Sequence, residues 1–422
     1  MTVESIGSSD ASGLHAGVAR SPRETIFGPG SAELIPGLVA KLGCRPFVIA
    51  DRFLATDPLL GNIVAELRER ACIVSVFTEV VPELPRDCVD AAVAAAQAHE
   101  PDVVIGFGGG SSLDLAKVVS LLSVTGGAIV DFYGENKIPE SLLPVVAVPT
   151  TAGTGSEVTP VAVVSDPDRE LKVGISSPQL VPFAAIVDPL LTVSCPAEVS
   201  AHSGIDALCH AVESLTARAR GLPRNYPLPV FVGANAFSID ASLRAAALIM
   251  GNLEAAVKDG GNLEARQAMS LGSLTAGVAF ASGGTHLAHA IQYPVGAVTK
   301  TPHGLGVGLL LPYVLEACAP NLGDSMHRLA KAIQPADETS GGDPLESVLG
   351  RIVDLRKQIG IPHTLAEIGL AKAELTRVIE LSQSVERLVN NAPGDDPAGL
   401  VPEIVRRAWS GRSEIFPSYA NG

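Results

Sequence analysis

Asp102-Val103-Val104-Ile105-Gly106-Phe107-Gly108-Gly109-Gly110-Ser111-Ser112-Leu113-Asp114-Leu115-Ala116-Lys117 is the stretch that decides the fold class. A short apolar run, a glycine turn and a helix-forming segment predict strand, tight turn and helix in that order. Ser111 and Asp114 have capping-box-like spacing, which would start the helix there. Three glycines let a ligand come close to the backbone, and free amides at a helix start favour phosphate. The run is neither GxGxxG nor a Walker sequence, so a tight turn without a ligand is the alternative reading.

The same alternation extends on both sides. Pro46–Ala50, Ile73–Phe77 and Pro144–Val148 are further β-branched runs, and Ile63–Ala71 and Cys88–His99 are amphipathic segments between them. Continuous apolar strands alternating with helices predict a parallel sheet covered on both faces. After Pro196 the strand signal stops. Long Ala/Leu-rich stretches follow, at Val230–Lys258, Asn262–Ala281 and Gly304–Cys318, separated by Gly/Pro punctuation at 221–227 and 341–344. The expected organisation is a loose tail over 1–22, an α/β dinucleotide-binding domain over 23–195 and an all-helical domain over 196–422.

Two features join the first glycine turn at the same sheet edge. Pro149-Thr150-Thr151-Ala152-Gly153-Thr154-Gly155-Ser156-Glu157-Val158-Thr159 leaves another predicted strand and offers hydroxyls to a diphosphate or ribose. Asp51 ends the strand Pro46–Ala50. There a carboxylate can accept the ribose hydroxyls and repel a 2′-phosphate, favouring NAD over NADP, or it can be an ordinary exposed loop acid.

The histidines point to other chemistry. Ser282–His303 holds three of the nine histidines. His286 and His289, three apart, would share one face of a helix, and His303 follows a Thr-Pro turn that could bring it back. In Gly204-Ile205-Asp206-Ala207-Leu208-Cys209-His210, Asp206 and His210 are four apart. One carboxylate with several imidazoles makes a mixed nitrogen and oxygen site for a divalent metal. The bland alternative is that surface Asp–His pairs and satisfied core histidines are common. His289, among Leu287, Ala288, Ala290 and Ile291, argues the other way, because an imidazole in apolar surroundings needs a partner.

Bulk properties narrow the class. The chain has 422 residues, 47% hydrophobic and 18% charged, which is globular and long enough for two domains. A net charge of −15 without a Lys/Arg cluster argues against nucleic acid or an anionic membrane as partner. No uncharged apolar stretch has the 18 or so residues of a membrane span. The six cysteines form no CxxC pair, and residues 1–20 lack the basic start and apolar core of a signal peptide, so a cytoplasmic location is expected.

The segments GGGSSLDLAK, VPTTAGTGSEVT, GIDALCHAVES and HLAHAIQYPVGAVTKTPHG occur in this order. With them the chain resembles the iron-containing (group III) alcohol dehydrogenases, from about Arg23 to the last helices. The resemblance implies the architecture shared with dehydroquinate synthase: an α/β N-terminal domain with a parallel sheet, then an all-α C-terminal domain. It implies hydride transfer between NAD(H) and an alcohol or aldehyde, with Fe²⁺ or sometimes Zn²⁺ held by Asp206, His210, His289 and His303. It places the pyrophosphate loop on Gly109, Gly110, Ser111 and Asp114. Nucleotide-contacting threonines fall on Thr150, Thr151, Thr154 and Thr159, a ribose-side lysine on Lys172, and the NAD-selecting acid on Asp51. A homodimer or larger assembly is also a family expectation.

There are departures from the family pattern. Glu83 stands where the family often has an asparagine touching the cofactor. Tyr293 stands where many members have a second histidine, which leaves Tyr293 to hand on the released proton. His286 is expected to pack or to line the pocket as a neutral group, and His202 to be solvated. The HLxHAxxYPV pattern looks like the branch acting on 4-hydroxybutyrate and related hydroxy acids. A dehydroquinate-synthase-like lyase, a metal-binding relative without turnover and a metal-independent reductase are the competing readings.

Overall fold

The computed structural model describes residues 5–6, 16–139, 141–334 and 342–415. These form two compact units: Arg20–Cys195, and the chain from Pro196 onward together with the described residues before Arg20. Most of the segment expected as a tail, and Gly341 of the second Gly/Pro punctuation, lie outside the described residues. Within the tail, β1 (Ser5–Ile6) pairs antiparallel with Leu222–Pro223.

The Arg20–Cys195 unit is built on nine strands: β2 (Glu24–Phe27), β3 (Pro46–Asp51), β4 (Ser75–Val80), β5 (Val103–Gly108), β6 (Gly134–Glu135), β7 (Val145–Pro149), β8 (Val161–Val164), β9 (Val173–Ser176) and β10 (Ala184–Val187). Six of them form a parallel sheet in the order β2-β10-β7-β5-β3-β4. The interior strands β5, β7 and β10 are buried at every position, and β5 and β7 therefore read as unbroken apolar runs. Alternate residues feed opposite faces. Phe47 and Ile49 join one core with Leu115, Val118 and Leu122, while Val48 and Ala50 join the other with Ile35, Val39 and Leu67. Edge strand β4 is buried only at Val80 and begins at Ser75, leaving Ile73 exposed.

Four helices accompany the sheet: α1 (Ile35–Leu42), α2 (Pro58–Glu69), α3 (Arg86–His99) and α4 (Gly110–Thr125). The sheet reading missed an additional layer, in which β8 and β9 pair antiparallel and β6 pairs parallel with β9. Ten residues of α4 are buried, since it packs on β5, β7 and β8. The start of α4 corrects the sequence reading. Its N-cap is Gly109, with no side-chain cap from Ser111, and the Asp114 carboxylate turns away from the helix start.

In the second unit, α5 (Ala197–Thr216), α6 (Ala236–Lys258) and α7 (Leu263–Gly283) pack on one another, and α8 (Leu287–Thr299) packs on α9 (His303–Cys318). Helix α6 starts later than its apolar pattern suggests. Asn235 caps it, accepting from the amides of Phe237 and Ser238, so Val230–Ala234 precede it as non-helical chain. Helix α9 lies close against α5 because glycines face it. A Cβ on Gly304 would strike the His202 carbonyl, and one on Gly308 would sit 2.6 Å from Ile205. This close approach sets His303, the first residue of α9, beside Asp206.

Candidate metal centre and cofactor edge

Helix α5 carries Asp206, His210 and Glu213 at i, i+4 and i+7, one stripe of a 3.6-residue helix, and all three are buried. Around Asp206 Oδ1 converge His210 Nε2 at 3.6 Å, His289 Nε2 at 3.6 Å and His303 Nε2 at 3.8 Å. Ligand atoms of Asp206, His210 and His289 all lie within 4.8 Å of one another, a grouping that could hold a divalent metal ion, and His303 stands outside that triad. Of the four residues expected as ligands, α5 and α8 bring Asp206, His210 and His289 into one group, and the start of α9 sets His303 beside Asp206.

Two further observations fit a cation. Asp206 Oδ1 and His289 Nε2 are buried without a hydrogen-bond partner, an arrangement that proteins rarely leave standing. Asp206 and Glu213 also place two carboxylates in one buried region, which a divalent ion would balance. Burial would raise the Asp206 carboxyl, but His210, His303 and His289 outweigh it and hold the group well below the ordinary range. Burial likewise opposes ionisation of Glu213, yet His286 and His289 hold it down at about 2. Burial works against a charged His289, and Glu213 and Asp206 together lift it to about 9.

The rings are held by packing. His210 stacks on Phe280, with centroids 5.0 Å apart and planes 7° apart, and on His289 at 4.9 Å. The cluster opens on one side, where the His303 side chain is 28% exposed against 5% for His289. Half-buried Tyr293 lies there, its ring 6.1 Å from that of His303.

His286 differs from expectation. It is the N-cap of α8, with non-helical backbone, so it does not share a helix face with His289. It is wholly buried, with Nε2 2.9 Å from Thr216 Oγ1 and Nδ1 3.2 Å from Glu213 Oε1. Burial lowers its pKa, in keeping with a neutral packed ring rather than a pocket wall. His202 is partly buried, and burial lowers its pKa too.

Sequence reasoning missed Glu213. Its Oε2 lies 2.5 Å from His289 Nδ1, and its Oε1 accepts from the Ala288 amide at 2.7 Å. The available signal was its place in the helical stripe that already contained Asp206 and His210.

The second candidate region is the C-terminal edge of the parallel sheet. Asp51 accepts from the Gly109 amide at 2.9 Å through Oδ2 and from Ser112 Oγ at 2.8 Å through Oδ1. A carboxylate offers about four acceptor positions, so capacity for ribose hydroxyls remains. A Cβ on Gly108 would come within 2.5 Å of Asp51 Oδ2, and one on Gly110 within 2.7 Å of Thr154, so both turn positions need glycine. Thr151 lies beside Gly109, and the Thr150 amide donates to the Gly108 carbonyl. Ser111 is half-buried at the first turn of α4.

Other expected cofactor residues face inward. Asp114 accepts from Ser156 Oγ at 2.6 Å and from the Val163 amide at 2.9 Å. Thr159 is buried, and its carbonyl accepts from Lys117 Nζ, which also donates to the Val161 carbonyl. Burial pushes Lys117 down to about 8 despite nearby Asp114 and Glu157. Burial pushes the Glu157 carboxyl up to about 7. Lys172 pairs with Glu83, the residue that departs from the family pattern.

Comparison with known proteins shows what the whole chain is similar to. Residues 22–189 match the model described as iron-containing alcohol dehydrogenase, and residues 200–395 the C-terminal model of the Fe-containing alcohol dehydrogenase family. The chain is 33% identical over 359 residues to the NAD-dependent methanol dehydrogenase of Bacillus methanolicus, covering 84% of this chain and 90% of that one. It is 35% identical over 369 residues to long-chain-alcohol dehydrogenase 1 of Geobacillus thermodenitrificans (strain NG80-2), covering 86% and 88%. A crystal structure of 1,3-propanediol oxidoreductase superimposes with a TM-score of 0.84 at 28% identity, covering 93% of this chain and all of that one.

Proposed function

Since the chain belongs to the iron-containing alcohol dehydrogenase family, we infer that the cluster around Asp206 is its metal centre and the glycine edge its dinucleotide site. The protein is an NAD-dependent oxidoreductase that moves a hydride between NAD(H) and an alcohol or aldehyde. The observation that supports the site assignment is the convergence of three imidazole nitrogens within 3.8 Å of one buried carboxylate oxygen.

When bound, the divalent iron acts as a Lewis acid on the substrate oxygen and NAD accepts the hydride. The protein's own part is placement. Asp206, His210, His289 and His303 would hold the ion, and the exposed side of His303 would admit the alcohol. Tyr293, beside that opening, would hand on the proton that alcohol oxidation releases, its hydroxyl passing its own proton toward solvent as it receives the new one. Gly109, Gly110 and Ser111 would hold the diphosphate at the start of α4. Thr150, Thr151 and Thr154 would border the nucleotide, and Asp51 would receive the ribose. Asp114, Thr159 and Lys172 would act by shaping this edge, which their internal bonds support.

A neutral primary alcohol or diol is the proposed substrate class, supported by the alcohols named in the relatives. A hydroxy acid such as 4-hydroxybutyrate is a second reading, favoured by the pattern around His289. The relatives' dehydrogenase names disfavour the lyase alternative. Six free thiols support a reducing, cytoplasmic setting, and among the described residues no helix is long and apolar enough to cross a membrane. The family resemblance supports a homodimer or larger assembly, which light scattering would test.

The functional test is an NAD-linked screen of alcohols, diols and hydroxy acids, using protein purified without oxygen and analysed for metal. Net NADH formation with 1-propanol or 1,3-propanediol is the expected result. Metal-dependent turnover without net NADH would sink the redox assignment.

A further inference from the structure

We infer that Glu213 is a positioning residue that sets which nitrogen of His289 is offered to the metal. This rests on the metal-centre reading above. An ionised carboxylate only accepts hydrogen bonds, so the contact between Glu213 Oε2 and His289 Nδ1 requires the hydrogen to sit on Nδ1. In the neutral ring that metal binding requires, that leaves the Nε2 lone pair on the side of Asp206 Oδ1. The reverse tautomer would point an N–H at the shared centre and two acceptors at each other.

Glu213 also fixes where the ring stands. Its Oε1 accepts from the Ala288 amide, one of the donors that the first turn of α8 cannot satisfy within the helix. His289 is the next residue. One carboxylate therefore ties both the start of α8 and the ring it carries to α5, the helix that supplies Asp206 and His210. His286, braced against Thr216, closes the far side of that carboxylate. Histidine ligands elsewhere rely on such outer partners, whose loss typically weakens metal binding by about 10–100-fold.

The test uses the full-length protein, stripped of metal and titrated with Zn²⁺ against a competing chelator. Wild type should bind one ion per chain. E213Q, close in shape but uncharged, should bind about 10–100-fold more weakly. In the Zn²⁺-loaded wild type, ¹⁵N-histidine spectra should show His289 protonated at Nδ1, with a strongly hydrogen-bonded proton that E213Q shifts or loses. A role confined to packing would change the unfolding temperature of the metal-free protein and leave affinity and proton signal intact. Folded E213Q with wild-type affinity would overturn the inference. If E213Q does not fold, the wild-type spectrum decides, and ligation through Nδ1 would overturn it. Failure of wild type to bind any ion would instead remove the metal-centre reading.

Discussion

Two of the protein's buried clusters of charge are built in opposite ways. In the α/β unit, Asp114 and Lys117 are closed on themselves: the carboxylate takes Ser156 and the Val163 amide, and the ammonium takes the Thr159 and Val161 carbonyls. In the helical unit, Asp206 Oδ1 and His289 Nε2 face one another across 3.6 Å without a hydrogen bond. The difference teaches that unmet bonding capacity, rather than density of charge, marks a ligand site. The closed cluster pins the threonine-rich loop to α4. The open one is arranged for a group that the protein does not itself supply.

His289→Ala gives the strongest test of that contrast. It removes one donor from the open cluster and leaves Glu213 buried beside a cavity. Metal stoichiometry should fall and NAD-linked turnover should drop by roughly a thousandfold or more, since a Lewis-acid contribution is several kcal/mol. A metal-free variant that still turns over would show the open cluster to be something other than the centre.

The closed cluster should instead show itself in stability. Glu157, buried next to Lys117, is raised from its ordinary 4.5 to about 7. Between those values the folded protein holds a proton that the unfolded chain has released, so stability falls as pH rises from 4.5 to 7. The interval corresponds to at most about 3 kcal/mol. Glu157→Gln should flatten that part of the curve, measured as unfolding temperature against pH in metal-free protein. An unchanged slope would mean that Glu157 is charged in the fold and that the cluster is less closed than its bonds indicate.

How much of this was legible in the sequence follows from the range of each interaction. The strands at Pro46, Val103 and Val145 could be read because burial on both faces leaves a continuous apolar run. Four-residue β2, β8, β9 and β10 were missed, for a run that short has no period to detect. Asp206 and His210 were readable as an i, i+4 pair. Glu213 was not, because its partners Ala288 and His289 lie 75 and 76 residues on, and an acid on a helix ordinarily faces water. The capping box failed for the same reason: the Asp114 carboxylate is taken by Ser156 and the Val163 amide, 42 and 49 residues on.

Asp51→Asn sharpens the boundary between the two kinds of cluster, because Asp51 is bonded within the fold yet keeps acceptor positions to spare. The variant keeps the size of the side chain and removes its charge. Losing charged hydrogen bonds of about 1.5–3 kcal/mol should raise the KM for NAD by roughly 10–100-fold, with kcat changing far less. Removing the carboxylate should also improve use of NADP relative to NAD. A fall in kcat with KM unchanged would place Asp51 among the internal ties, with Asp114.

The smallest effect is expected at Glu83, whose pairing with Lys172 is neither buried nor open in the sense of the two clusters. Glu83 is 48% exposed and Lys172 27%, so screening limits the pair to about 0–1 kcal/mol. Glu83 also sits at φ +68, a left-handed conformation that asparagine tolerates better than glutamate. In Glu83→Asn the loss of the ion pair and the gain in backbone fit oppose each other. The unfolding midpoint should move by less than about 0.5 kcal/mol in equivalent stability. If Lys172 serves the cofactor ribose, taking the carboxylate away from it should lower the KM for NAD by a few-fold at low salt, and less at high salt, where the pair is already screened. An affinity for NAD that is the same in both proteins at every salt concentration would leave Lys172 as a loop tie alone, and the cofactor contacts would then rest on the glycine turn, the threonines and Asp51.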